Sequence, residues 1–413
     1  MVNVFVVSAI FPPELVVSAR TSAETADKLH EIRHRVTVIA PFPSRPAGKL
    51  FPGYSRKLYQ REKLANGIEI IRCFSTLSPE SRIVSRLLEN LSFGLTSGWQ
   101  VLRAKRPHVI YANTWPVIAT GILFLVSKLR RIPLVISVQD VYPEALVAQQ
   151  RIGDSSFLAR LMRRIDSIIA RHSAHVIVIS EHFAQIYSNE RHVPSERLSL
   201  IPNWIDSDMI DITVSRQQFR QRIGIGEDEF LLVYGGNVGV AAGVETVIEA
   251  IRLLQGEGSF RLLVAGSGSQ LATCQGLAQQ IPEQPILFHS PWLAEETSEV
   301  LRSADLLILP TQGEQSLASV PSKLLSYMLA GRPILATALP GSDLAELVHR
   351  AQCGWVVEPD RPDLLAEQIK KIRALDTIER QQRGDMGRAY VLENFTKDVC
   401  VPKVIRILES AIQ

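Results

Sequence analysis

Short apolar runs and longer stripes of helical period take turns along this chain. In the first half, compact apolar runs at Val2–Ser8, Val36–Ala40, Val109–Ala112, Leu134–Val138 and Val176–Ser180 predict buried strands. In the second half the same pattern predicts strands at Phe230–Tyr234, Leu262–Ala265, Ile286–Phe288, Leu306–Leu309, Ile334–Ala336 and Trp355–Val357. Helical stripes lie between them, which argues for stacked βαβ units and two doubly wound parallel sheets. Regular periodicity lapses from Ile201-Pro-Asn-Trp-Ile-Asp206 until Gln217, which predicts a join there. The expected domains are 1–203, with a C-terminal helix 397–413 added to it, and 204–396.

Two of the strand-to-helix turns carry candidate chemistry. After the run FLLVY comes GGNVGVAAG, residues 235–243, and then a helical stripe from Val244 to Leu254. Glycines let a backbone approach a phosphate, and helix starts offer N–H groups and a positive dipole end. Gly236, Asn237 and Gly239 are the candidates in this turn. The second is SLASVPSKLLSYMLAGRPILAT, residues 316–337, where a polar loop runs into a stripe of Leu324, Leu325, Met328 and Leu329 that Gly331 ends. Ser319, Val320, Pro321, Ser322 and Lys323 then stand at a helix start. A lysine in a first turn is poorly placed there unless an anion docks beside it. An ordinary loop-to-helix junction is the alternative for each turn alone. A third glycine turn, Gly266-Ser-Gly268, follows another strand.

Composition narrows the class. At 413 residues, 46% hydrophobic and 21% charged, the chain has ample material for two or three cores. Met1–Ser8 already reads as a strand, so no secretory signal is expected, and the apolar run Pro116–Val126 is too short to span a bilayer. Cys73, Cys274, Cys353 and Cys400 are scattered without metal-ligand spacing, which suits reduced thiols and a cytoplasmic setting. The overall charge of +3 conceals an asymmetry. Residues 1–205 hold 26 Lys+Arg and 15 Asp+Glu, a net of +11, and residues 206–413 hold 19 and 27, a net of −8. Arg160, Arg163, Arg164 and Arg171 fall on an amphipathic stripe from Phe157 to Arg171. Either that stripe is a solvated face on a packed helix, or it meets anionic lipid headgroups. Nucleic acid is not expected, since no aromatic-interleaved basic stretch appears.

Taken in order, FPPE (11–14), HRVTVIAP (34–41), SVQDVYPE (137–144), VIVISE (176–181), IPNWID, YGGNVG and VPSKLLSYMLAGRPILA resemble the family 4-type retaining glycosyltransferases of GT-B fold. The VPSK and DVYPE variants resemble the branch that builds bacterial surface polysaccharides. The resemblance implies two facing Rossmann-like domains with a donor/acceptor cleft between them, and a last helix, Val401–Ile412, that returns to the first domain. It implies donor binding by Gly236, Asn237, Gly239, Trp292 and Ser319–Lys323, with Glu14, Asn113, Thr114 and Trp115 on the acceptor side and Asp140 and Lys323 as catalytic groups.

The chain departs from the family pattern in several places. Val16 and Val17 stand where two glycines are common, and Gln139 where a histidine is common. Ala318 and Ser326 stand where the family places two glutamates, with Glu314 the nearest acid before them, and Val240 and Ala241 stand near where many members carry an Arg and a Lys. The expected reaction is transfer of a hexose from a nucleotide sugar, UDP-linked and with glucose as the first guess, to a sugar or lipid-linked acceptor. Retention is what the resemblance implies; with helix starts and a lysine supplying positive potential for the phosphate, and no clustered ligands in the sequence, neither a metal nor a cofactor is expected. Two alternatives stay open: a nucleotide-sugar 2-epimerase, and an inactive subunit that binds a nucleotide sugar or a membrane partner. The expected location is cytoplasmic, with peripheral association on the inner face of the membrane.

Overall fold

The computed structural model describes residues 1–412 except 46, 80–82, 114–116, 149–150, 284 and 314–320. The chain divides into two compact units, Met1–Asn203 with Asp398–Gln413, and Trp204–Lys397.

In unit 1 the strands are β1 (Asn3–Ser8), β2 (Arg35–Pro41), β3 (Tyr59–Lys63), β4 (Glu69–Cys73), β5 (Val109–Asn113), β6 (Leu134–Val138), β7 (His175–Val178) and β8 (Leu198–Leu200). They form one sheet in the order β3-β4-β2-β1-β5-β6-β7-β8, parallel except for β3. The central strands are apolar on both faces because helices cover both sides. Edge strand β3, YQREK, is polar and mostly exposed, and the sequence pattern misses it along with short β4 and β8. Strand β7 stops at Val178, because the Ser180 hydroxyl accepts the Phe183 N–H at 3.2 Å and caps the next helix.

Five helices of unit 1 matter below: α1 (Val17–Glu31), α2 (Ile83–Arg103), α3 (Val117–Leu129), α4 (Glu144–Ala148) and α5 (Phe157–His172). α2, α3 and α5 supply Phe93, Leu123, Met162 and Ile169 to one core under the sheet. The C-terminal helix starts at Lys397, a turn before the expected Val401, and runs to Ser410 with Pro402 inside it. It buries Val401, Val404, Ile405 and Leu408, and Glu409 meets His34 at 3.2 Å within unit 1.

Unit 2 has β9 (Phe230–Gly235), β10 (Phe260–Ala265), β11 (Ile286–His289), β12 (Leu306–Leu309), β13 (Ile334–Thr337) and β14 (Gly354–Val357). Their order is β11-β10-β9-β12-β13-β14, all parallel. The order reverses beside β9, whose neighbours are β10 and β12. In open α/β sheets such a switch point, at the carboxyl ends of the strands, is where ligands bind. The four cysteines are buried thiols, and burial pushes those of Cys73 and Cys353 up to about 12.

Candidate functional site

The carboxyl end of β9 carries the expected glycine turn. Backbone bonds bind this turn to the turn after β10: the Gly236 N–H donates to Ala265 O at 2.8 Å, the Val238 N–H to Ser267 O at 2.9 Å, and the Gln270 N–H to Val238 O at 3.0 Å. That approach leaves no room for side chains. A Cβ on Gly266 would collide with the Gly236 carbonyl, and one on Gly268 with the Val238 backbone. Gly236 also has φ of +145°, a conformation other residues avoid. Gly239 is different: its φ is −111°, and only the Asn237 side chain is close, so space rather than backbone geometry favours glycine there.

Lys323 opens helix Lys323–Leu329, as expected, and reaches back over β9. Its Nζ lies 4.3 Å from the centroid of the Tyr234 ring and donates a hydrogen bond to the Tyr234 hydroxyl. That hydroxyl in turn donates to Asn237 O at 2.6 Å. One turn along the helix, the buried Tyr327 hydroxyl accepts the Gly235 N–H at 2.7 Å. Two tyrosines thereby tie the helix start to the glycine turn. Burial lowers the Lys323 pKa from 10.5 to about 8 and holds the phenols of Tyr234 and Tyr327 above their usual range. The stem of Lys323 fills the space that a Cβ on Gly236 would take. The arrangement presents one amine and a close-approach backbone at the switch point, which suits a diphosphate.

Trp292 packs its ring edge toward Gly235, where an added Cβ would lie 3.0 Å from it, and joins the neighbouring core. Its indole N–H is buried with no hydrogen-bond partner among the described residues. His289, at the end of β11, pairs with Glu296 at 2.7 Å. Pro321 and Ser322 precede Lys323 in the same turn. Ser319 and Val320, with Glu314 and Ala318, lie outside the described residues, as do Thr114 and Trp115.

Unit 1 holds the remaining candidates. Asp140 follows β6 and reaches solvent, yet it lines a cavity of about 30 Å³ with Tyr142, Asp166 and Tyr187. Desolvation there raises its carboxyl above the ordinary value. The segment after it is pinned by Arg191, which is 1% exposed. Arg191 donates to Glu144 at 2.7 Å, to Asp166 at 2.9 Å and to the Tyr142 carbonyl at 3.4 Å. The Tyr187 hydroxyl adds a bond to Asp166 at 3.2 Å, and burial pushes the Asp166 carboxyl up to about 6 despite the arginine.

Glu14 and Asn113 are buried and engaged inside unit 1. The Glu14 carboxylate accepts the N–H groups of Phe11, Ser44 and Arg45 at 3.3, 2.9 and 2.8 Å, which holds two loops together. The Asn113 amide donates to Ser18 O, Thr21 Oγ1 and Ser22 Oγ, which ties the end of β5 to α1. Val16 sits at the start of α1 with φ −123° and ψ 147°, an extended conformation that suits a β-branched residue. Sequence reasoning missed Tyr234 and Tyr327, which read as apolar filler, and Arg191 and Asp166, whose partners lie far away in the chain.

Comparison with known proteins agrees with this architecture. Residues 18–204 match the glycosyl transferase 4-like domain, and residues 229–374 match the glycosyl transferases group 1 domain. The probable glycosyltransferase WbjE of Pseudomonas aeruginosa is 26% identical over 336 residues, covering 79% of this chain and 80% of that protein. The putative colanic acid biosynthesis glycosyl transferase WcaI of Escherichia coli (strain K12) is 24% identical over 405 residues, covering 94% and 97%. Solved structures of HepE from Anabaena, in complex with UDP and with UDP-glucose, match at TM-scores of 0.69 and 0.66. Both are 15% identical and cover 99% of this chain and 100% of that one, so their likeness is one of fold. With both domains matched in order on two parallel-sheet units, the chain belongs to the family 4-type glycosyltransferases and has the GT-B fold.

Proposed function

We propose that this glycosyltransferase moves a hexose from a UDP-sugar to a sugar or lipid-linked acceptor in the synthesis of bacterial surface polysaccharide, with retention at the anomeric carbon and without a divalent metal. The observation that carries the donor half is the Lys323 amine held over Tyr234 beside the glycine turn, at the switch point of the unit 2 sheet. The part of WcaI in colanic acid biosynthesis and the UDP complexes of HepE support the pathway and the base.

The main barrier in such a transfer is charge growing on the departing phosphate oxygen. Lys323 and the backbone N–H groups of the two turns supply a preorganised positive potential for it, and one such donor is typically worth about 10²–10³ in rate. In the retaining course, the acceptor hydroxyl attacks from the face the phosphate leaves, the glycosidic bond to phosphate breaks, and the hydroxyl proton passes to the departing phosphate oxygen. Asp140 orients the acceptor hydroxyl. In this reading the basic unit 1 associates with the cytoplasmic face of a membrane, which brings a lipid-linked acceptor within reach. No helix among the described residues is long and apolar enough to cross a membrane.

A thermal-shift and calorimetry panel of UDP-, GDP- and ADP-sugars tests the donor. A UDP-sugar at 100 times its Kd should stabilise the protein by about 2.7 kcal/mol. Slow release of nucleotide and free sugar marks a transferase, an isomerised donor marks an epimerase, and binding without turnover marks an inactive subunit. Tight GDP binding with no UDP binding would overturn the choice of base.

A further inference from the structure

Helices α2, α3 and α5 lie side by side over one face of the unit 1 sheet. Gly94 and Gly98 on α2 let α3 come close, since a Cβ at either would press on Ile122. The faces turned away from the sheet are unusual. On α2, Val84, Leu88, Leu91, Leu95 and Trp99 are all exposed, at steps of four, three, four and four residues, so they form one continuous stripe. On α3, Leu125 and Leu129 are 67% and 74% exposed. On α5, Phe157 is 75% exposed, with Leu161 and Ile168 beside the same outward face. Scattered surface leucines are ordinary, but an apolar surface shared by three adjacent helices marks an interaction site.

The charges around it have one sign. Residues 83–131 and 157–172 contain only two acids, Glu89 and Asp166. Both are buried and paired with arginines, Glu89 with Arg86 at 2.8 Å and Asp166 with Arg191 at 2.9 Å. Arg103, Lys105 and Lys128 near the helix ends, and Arg160 and Arg164 on α5, remain exposed. An apolar strip edged by cations complements the interface of an anionic bilayer, where apolar side chains reach the acyl boundary and cations meet phosphates. A second copy of the chain would set cation against cation.

We propose that the outer face of α2, α3 and α5 docks unit 1 on an anionic phospholipid bilayer. This rests on the membrane association in the proposed function and names its surface. The test is flotation of the full-length protein with vesicles of phosphatidylglycerol and phosphatidylethanolamine, or of phosphatidylcholine alone, at low and high salt. The wild type should float with the anionic vesicles at low salt and be largely released at high salt. The triple substitution Arg103→Gln, Arg160→Gln, Arg164→Gln should lower partitioning on the order of 100-fold. Leu95→Ser, Trp99→Ser, Leu125→Ser together should abolish it, with unchanged melting because these side chains are already exposed. Calorimetric titration with UDP, without vesicles, should give the same Kd in all three proteins. Absent UDP binding in the wild type would sink the donor reading alone. Absent flotation, or flotation unchanged in both variants, overturns the docking proposal. So does a wild-type dimer that the serine variant turns into a monomer, which would assign the face to a second copy.

Discussion

Lys323→Met should make the protein more stable while removing most of its turnover. The folded chain holds the Lys323 amine among protein atoms, and burial lowers its pKa from 10.5 to about 8. The unfolded chain keeps that proton up to its ordinary value, so at pH 7 both states are protonated and only the folded one bears the desolvation cost. A drop of that size corresponds to about 3 kcal/mol at 1.36 kcal/mol per pH unit. The amine recovers part of it through the Tyr234 ring and hydroxyl, about 0.5–1 kcal/mol each, and it is not wholly shielded from solvent. A net gain of about 1–2 kcal/mol remains, a rise of a few degrees in Tm for a unit of this size. Calorimetry of both proteins from pH 7 to pH 10.5 provides the check. The gap should be complete below pH 8 and close as pH rises through 8 to 10.5, because the folded wild type sheds its proton first. Turnover of the donor should fall by about two orders of magnitude. A variant less stable than wild type at pH 7, or a gap that ignores pH, would refute the reasoning.

Three further predictions separate scaffold from site. Gly239→Val meets only the mobile end of Asn237, so melting should change by less than about 1 kcal/mol while donor Kd rises. Gly268→Ala drives a methyl into the Val238 backbone and should lower Tm by several degrees before any kinetic effect is read. Arg191→Met leaves Asp166 and Glu144 without their shared partner and should cost about 3–5 kcal/mol in thermal or urea unfolding. If Arg191→Met melts like wild type, the arginine does not hold the segment after Asp140.

Most strands buried on both faces were legible, because a continuous apolar run carries its own signal. Strand β3 was not, since YQREK is an edge strand whose alternating charges look like a loop, and neither was buried β4, EIIRC, whose two isoleucines stand between charged residues. The glycine turn and Lys323 were legible as neighbours of a strand end and a helix start. What joined them was not: Tyr234 and Tyr327 sit 93 residues apart in the chain, and their hydroxyls serve a backbone and an amine that only the folded sheet brings near. Polar side chains after strands were harder still. Glu14 and Asn113 occupy positions typical of ligand contact, yet each satisfies buried groups in its own unit. A sequence shows that such a residue stands in a βα turn, but not which way its side chain points. The stripe on α2 is readable in period, but only exposure distinguishes it from a core face.

The departures from the family pattern become coherent when taken together. Ser326 stands where the family places a glutamate, and Val240 and Ala241 stand near where an Arg and a Lys are common. Within 235–243 and 321–326, Lys323 is the one cation. Ser326 follows it by three residues on the same helix, and so faces the same side. A carboxylate there would lie within reach of the amine, hold its proton more tightly and offset the charge that the proposed diphosphate contact needs. The absence of the glutamate along with the other cations keeps the proposed donor site net positive. Ser326→Glu should therefore weaken UDP binding by roughly fivefold at low salt, the equivalent of about 1 kcal/mol, and the effect should shrink as salt screens it. Ser326→Ala should bind as wild type does. Calorimetry at two salt concentrations decides the matter: tighter UDP binding by Ser326→Glu would show that the site still has a use for the missing acid, and the compensation argument would fall.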